Sequence, residues 1–231
     1  MQNPKPMSFS ENIDKTEPKG EHKFYFSFSR EYIKDKKILD IGAWAGPFEA
    51  LIYREAKEIT AVDVEDKALR VLKQNLPRVK CVRANSHNLP FEPETFDVVT
   101  FWDVLEHIPV GYELATLWEI NRVLKQNGKL FLATVSKNFW SDLLDPAYYL
   151  AGHRHYTTQH LIQMLRDASF KVEEVKQVGS FFSSFYAISF YIFKHIFRIK
   201  MPSVYYIEKK MEKDISSPGF IQIAIRANKE R

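Results

Sequence analysis

The chain has 231 residues, enough for one α/β domain with a full core and a small insertion. Hydrophobic residues make up 45% and charged residues 27%, a globular balance that excludes wholesale disorder. The formal charge is +4, with Lys and Arg scattered rather than gathered into a stripe, which argues against a nucleic-acid groove.

The single cysteine, Cys81, excludes an internal disulfide framework and a cysteine-based zinc cluster. Within the run Val79–Val82 it reads as a buried strand residue, and a reduced cytoplasm is the expected compartment. Residues 1–23 are rich in Pro, Lys and Glu and lack an apolar core, so they read as a flexible tail rather than a signal peptide. Residues 24–231 then form the domain. Phe24–Ile33 is aromatic and predicts a short helix or flap.

Lys37–Ile41 is a short apolar run that ends in Asp-x-Gly, the pattern of a buried strand meeting a tight turn. Phe48–Arg54 reads as a helix and Glu58–Val64 as a second strand. Ala68, Leu69, Leu72 and Leu76 give Lys67–Leu76 a helical face, and Val79–Ala84 is a third strand. Phe96–Trp102 is a fourth strand, followed by a long helix from about Tyr112 to Leu124 that Asn127-Gly128 ends as a left-handed cap. Leu130–Val135 is the fifth strand. Beyond it come an aromatic, irregular stretch (Asn138–Gly152), an amphipathic helix (Thr157–Ala168) and a sixth strand (Phe170–Val178). Phe220–Arg226 alternates and closes the sheet, antiparallel to the rest, after a helical insertion over about 180–217. Alternating strands and helices imply a mostly parallel sheet covered on both faces, with ligands beyond the carboxyl ends of its strands.

Those ends carry the motifs. Ile38-Leu39-Asp40-Ile41-Gly42-Ala43-Trp44-Ala45-Gly46 resembles the first motif of class I S-adenosylmethionine-dependent methyltransferases, with Trp44 in place of the middle glycine. Small residues at such a turn let backbone amides approach a ligand, while the acid orients the turn or faces an ammonium. Asp63 follows at the end of the second strand, 21 positions after Gly42, where an acid can accept hydrogen bonds from a ribose diol. Ala84–Phe91, then Thr95–Val99, resembles that family's third segment, with Asn85 where an aspartate usually stands beside the adenine amino group. Asp103–Ile108 and Glu119–Leu130 resemble the segments that follow.

These motifs span roughly residues 37–136 in order. The resemblance, to the branch that holds the quinone-biosynthesis methyltransferases, implies a seven-stranded Rossmann-like sheet, S-adenosylmethionine as cofactor, and methyl transfer to a small-molecule acceptor. Glycan, lipid-linked and quinone-like acceptors rank ahead of protein or nucleic acid. It also implies cofactor contacts at Asp40, Gly42, Ala43, Gly46, Asp63, Val64, Asn85, Ser86 and Trp102. A nicotinamide dehydrogenase is the rival enzyme, but Trp44 breaks the Gly-x-Gly-x-x-Gly fingerprint and the Tyr205/Lys209 pair lies outside the sheet motifs. A degenerate, non-catalytic S-adenosylmethionine-binding protein is the alternative of another class, suggested by Trp44 and Asn85.

The acceptor side needs a proton-accepting group near the strand ends. His107 follows the fourth strand, and His153-Arg154-His155-Tyr156 precedes the amphipathic helix, so His107, His153, His155 and Tyr156 are the catalytic candidates. A comparable His/Arg/Tyr stretch recurs in relatives that modify glycan or lipid-linked acceptors; the bland reading is that Arg154 and His155 brace a loop. His22 and Tyr25 can join a lid from the N-terminal side, and no spacing demands a metal. Val178–Phe193 is uncharged and precedes the basic run Lys194–Lys200. It is short for a membrane span, and it reads as a lid helix, a homodimer interface or a peripheral membrane contact. Its serines favour packing or dimerisation.

Overall fold

The computed structural model describes residues 18, 20–145, 148–149, 152–191, 193 and 205–230. Seven strands form one sheet in the order β3-β2-β1-β4-β5-β7-β6. They are β1 (Lys37–Ile41), β2 (Glu58–Asp63), β3 (Lys80–Arg83), β4 (Phe96–Trp102), β5 (Leu124–Val135), β6 (Phe170–Val178) and β7 (Gln222–Lys229). The first five run parallel, and β7 runs antiparallel to both of its neighbours. This is a Rossmann-like sheet. The final strand completes the sheet in antiparallel sense as expected, slotted between β5 and β6, so that β6 is the edge.

The helices are α1 (Gly20–Ser29), α2 (Pro47–Ile52), α3 (Asp66–Asn75), α4 (Glu113–Val123), α5 (Phe139–Leu144), α6 (Thr158–Asp167), α7 (Phe181–Tyr191) and α8 (Tyr205–Ile215). Side chains alternate across each strand, so neighbouring residues serve different layers. Leu39, Val99, Leu130 and Leu132 join the cluster that includes Leu117 and Ile120 of α4 and Leu161 and Leu165 of α6. Ile38, Val98 and Phe131 join Phe24, Tyr25 and Phe28 of α1 and Phe48 and Ile52 of α2 on the other face.

Three local expectations change. The flexible-tail reading falls on residues outside the described ones up to residue 17 and at residue 19, but Gly20–Lys23 already belong to α1. That helix forms because Phe24, Tyr25 and Phe28 recur at helical spacing and are buried, and it packs on α2 and α8. The second change concerns Asn127. It is left-handed at φ 60°, yet α4 has already ended at Val123. Phe96 pairs with Leu124 and Val98 with Lys129, so residues 125–128 bulge from the ladder and Asn127 turns that bulge. Lys125 anchors it through a 2.7 Å bond to Asp97. The third is Cys81, which is half-buried because β3 is an edge strand. The 180–217 insertion carries α7 and α8, with 192 and 194–204 outside the described residues.

Two glycines let β1 turn sharply into α2. Gly42 has φ +82°, and a Cβ there would collide with Val104 Cγ2, just beyond β4. Gly46 has φ +85°, and its Cβ would lie 2.7 Å from Leu72 Cγ of α3. Gly42→Ala is therefore expected to destabilise the fold by about 2–4 kcal/mol in urea unfolding, from left-handed strain plus overpacking. Val104→Ala in the same chain should recover the packing part of that loss. A loss unchanged by Val104→Ala would show that the collision contributes nothing.

Candidate active site

The carboxyl ends of β1, β2, β3 and β4 gather most of the residues marked in the sequence. After β1, Gly42 and Ala43 both donate to the Val62 carbonyl, at 2.8 and 3.2 Å. Trp44 takes φ +50° and its N–H donates to Asp63 Oδ2 at 2.8 Å, while Asp63 Oδ1 accepts from Glu65 N at 2.9 Å. The strand-end acid thus holds the turn, and each carboxylate oxygen keeps a lone pair. The indole of Trp44 packs with Ala45 against Ala68 and Val71 of α3. Beside Asp63, Val64 is 58% exposed, a large apolar side chain facing solvent. Asn85 is exposed at the end of β3.

Three of the marked residues behave differently. Asp40 is buried: Thr100 Oγ1 donates to its Oδ1, and Glu49 of α2 faces it. Burial outweighs the hydrogen bond from Thr100 and lifts Asp40 to about 7. Glu49 is pushed well above the carboxylate range by burial and by the charge of Asp40, and neither of its carboxyl oxygens has a hydrogen-bond partner. Asp40 therefore ties β1 to β4 from beneath the turn. Ser86 is turned inward, its hydroxyl 3.3 Å from Thr116 Oγ1 of α4, which leaves only its backbone toward the strand ends. Trp102 is core. Its ring stacks on Tyr25 with centroids 4.4 Å apart and abuts Phe48 and Phe131.

Nor does Tyr25 belong to a lid. It is buried, its hydroxyl donates to Asp103 Oδ2, and Gln222 Nε2 bonds both Tyr25 Oη (2.6 Å) and Asp103 Oδ1 (2.5 Å). Burial first, against hydrogen bonds from Tyr25 and Gln222, holds Asp103 at about 6. His22 lies edge-on to Tyr25 at 6.3 Å.

The acceptor-side candidates come together around the turn after β4. Residues 105–108 are clamped: Arg154 donates to the carbonyls of Leu105 and Ile108 and pairs with Glu113, and Tyr156 Oη donates to Leu105 O at 3.1 Å. Arg154 thus takes the bracing role. Tyr156 leaves the catalytic set, because its phenol proton is committed to a backbone carbonyl and burial lifts it to about 12. His155 leaves it as well. Its ring bonds Asp142 Oδ1 through Nδ1 (2.6 Å) and Asp145 Oδ2 through Nε2 (3.0 Å), so neither nitrogen is open.

His107 and His153 remain. Their rings meet edge-on at 4.4 Å. His107 is exposed as a residue, yet the surroundings of its ring against His153, desolvation first and then the charge of His153, lower it to about 4, which makes it neutral near pH 7. His153 is largely buried; Nδ1 lies 3.4 Å from Asp145 Oδ2 without hydrogen-bond geometry, and Nε2 has no partner. Glu106, beneath the pair, accepts from Thr134 Oγ1 at 2.8 Å, and burial raises it well above the carboxylate range. Among the described residues, no group of three or more His, Cys, Asp or Glu is placed to hold a metal.

Sequence reading missed Glu49 and Asp145. Glu49 had a signal, since Phe48, Glu49 and Ile52 share the buried side of α2. Asp145 had none, because only the fold brings it to His153.

Residues 39–132, from β1 into β5, match the family model for a methyltransferase domain. Over that stretch the chain is similar to class I methyltransferases. The cofactor of that class is S-adenosylmethionine. The domain resembles the mitochondrial ubiquinone biosynthesis O-methyltransferase of Schizosaccharomyces pombe, 32% identical over 122 residues, 50% of this chain and 43% of that one. The ubiquinone biosynthesis O-methyltransferase of Nitrosospira multiformis is 29% identical over 156 residues, 61% of this chain and 64% of that one. The chain spans about half the length of the curated relatives it matches. A solved S-adenosylmethionine-dependent methyltransferase from Mesorhizobium loti superposes with a TM-score of 0.64 at 12% identity, covering 89% of this chain and 98% of that one. The [4+2]-cyclase SpnF superposes at 0.63 with 18% identity, covering 90% and 81%, so the likeness shows the fold alone.

The His155 clamp has a pH signature. Burial disfavours the charged ring, but hydrogen bonds and charges from Asp145 and Asp142 outweigh it and raise His155 above 6.5. A value raised in the folded state gives stability that is full below 6.5 and lost as pH climbs through the folded value. Urea midpoints of wild type minus His155→Gln should therefore shrink between about pH 6 and pH 9. A difference that stays constant over that range would mean the ring is not charged in the fold.

Proposed function

We propose that this chain methylates a hydroxyl on an apolar small molecule of quinone-like or lipid-linked type. One observation carries the reading: His153, a buried imidazole whose Nε2 has no partner, stands beside neutral His107 at the strand edge that holds the glycine turn. A buried polar atom without a partner is costly, and an acceptor hydroxyl would satisfy it. The names of the S. pombe and N. multiformis relatives support oxygen as the methylated atom.

When bound, S-adenosylmethionine supplies a methyl group already activated by its sulfonium centre. The residues fit that cofactor. Asp63 keeps lone pairs for a ribose diol, Val64 offers an exposed apolar surface next to it, and Asn85 presents an amide at the neighbouring strand end. Gly42, Ala43 and Gly46 keep the turn small, and the indole of Trp44 is stacked on α3. Asp40 orients that turn and leaves any ammonium to other groups, since its carboxyl is buried and bonded by Thr100.

On the acceptor side, His153 Nε2 takes the proton that the hydroxyl gives up as its oxygen gains the methyl group. Asp145, 3.4 Å from Nδ1, stabilises the imidazolium that results. His107 stays neutral and limits the approach to one side, and Arg154 and Tyr156 keep it there by fixing residues 105–108.

Calorimetric titration with S-adenosylhomocysteine tests the cofactor half: Asp63→Ala should weaken binding about tenfold or more, from the loss of charge-assisted hydrogen bonds. Failure of the folded wild type to bind would remove the reading. Transfer of labelled methyl to a long-chain alkyl catechol tests the other half. His153→Gln should lower kcat by about 10²-fold or more while leaving S-adenosylhomocysteine affinity unchanged. An unchanged kcat would assign the proton to another group.

A further inference from the structure

α5 and α7 leave the same edge of the sheet, since β5 and β6 are both antiparallel to β7 and so parallel to each other. Between them they expose one aromatic surface. Phe139 and Trp140 of α5 are in ring contact at 5.1 Å, and Trp140 meets Phe181 of α7 at 4.9 Å. Phe139 and Phe185 are each 71% exposed, and Leu143 and Phe181 are about half exposed. A contiguous patch of this kind on a soluble fold marks an interaction site.

The serines of α7 lie where they leave this surface apolar. Ser180 bonds Asp214 through both its N–H and its hydroxyl, and Ser184 is buried. Ser189 donates to the Phe185 carbonyl at 2.9 Å, within its own helix. Phe181 and Phe185, four apart, share the outer side. Ser180 and Ser184 therefore face inward, and the Ser189 hydroxyl is spent on its own helix, while Phe181 and Phe185 stand on the outer side.

Charge decides between occupants. From 178 to 207 the sequence contains no acidic residue. Lys210 lies over the Phe182 ring at 4.5 Å, and Lys137, exposed, precedes α5. The acids nearest the patch are engaged: Asp142 and Asp145 by His155, Asp214 by Ser180. A surface of Phe and Trp bordered by Lys137 and Lys210, in a stretch of sequence without acids, fits the interfacial zone of an anionic bilayer. No helix among the described residues is long and apolar enough to cross a membrane, so contact would be in the surface plane.

We propose that the aromatic face formed by α5 and α7 seats this chain on the surface of an anionic phospholipid bilayer. The face adjoins the acceptor side, because Asp142 of α5 bonds the His155 ring at 2.6 Å. A bilayer-dissolved acceptor would thus enter from the membrane side. The docking itself needs no turnover, so it stands or falls apart from the chemistry above.

The full chain is sedimented with vesicles of phosphatidylcholine containing phosphatidylglycerol, and with vesicles of phosphatidylcholine alone. Wild type is expected to bind the anionic vesicles, less at high salt, and to bind the neutral ones weakly. Phe139→Ser/Phe185→Ser should lower partitioning about tenfold or more with an unchanged unfolding midpoint, since both rings are on the outside. Quenching of Trp140 by brominated lipid, lost in Trp140→Phe, gives a second readout that does not depend on those substitutions. Absence of wild-type binding, or binding indifferent to the double substitution, overturns the proposal. So does a dimer in solution that the double substitution dissociates without any vesicle binding, which would give the face to a second copy of the chain.

Discussion

The closeness of the turn after β1 to the segment after β4 is the constraint on which this site rests. A single atom at Gly42 would strike Val104, so the turn lies against the residues that continue into His107. Because β1 and β4 are adjacent in the sheet and their order changes direction there, the two segments open the crevice that parallel sheets offer to ligands. Asp63 holds the turn from one side through the Trp44 amide, and Leu72 of α3 seats against Gly46 from another. With those contacts made, Val64 and Asn85 stand just past the ends of β2 and β3.

Beneath the crevice the domain keeps several carboxyl groups away from water, most of them answered by a hydrogen-bonding partner. Asp40 is met by Thr100, Asp103 by Tyr25 and Gln222, Glu106 by Thr134, while Glu49 has none. Burial raises all of them, which is how low dielectric treats a charge that only neutral donors satisfy. The bonds these acids accept join elements distant in the chain: β1 to β4, the end of β4 to α1 and β7, the following turn to β5. Next to apolar packing such buried polar groups add little stability, and what they supply is fixed geometry at the strand ends.

The acceptor side shows a division of labour within one short segment. Arg154 and Tyr156 fix the turn that carries His107, His155 fixes Asp142 and Asp145, and His153 is left with an unpartnered Nε2. Asp145 faces both His155 and His153, so the clamp and the proton-accepting ring share one carboxylate. Asp142 belongs to α5, so the clamp on His155 also ties this segment to the helix that carries Phe139 and Trp140.

The sequence by itself determined the strand–helix alternation, the turn at Asp40–Gly46, the acid at Asp63 and the domain class, because each rests on local periodicity or on residues close together in the chain. It also brought His107 and His153 onto one short list of candidates. Only the tertiary structure separated them from His155 and Tyr156, since a side chain's freedom depends on partners such as Asp142, Asp145 and the Leu105 carbonyl, up to 51 positions away. The same holds for Trp102, Ser86 and Asp40. Their types suited a ligand, but packing against Tyr25, Thr116 and Glu49 turned them inward. The place of β7 between β5 and β6 was likewise settled by long-range pairing, for which an alternating strand carries no address.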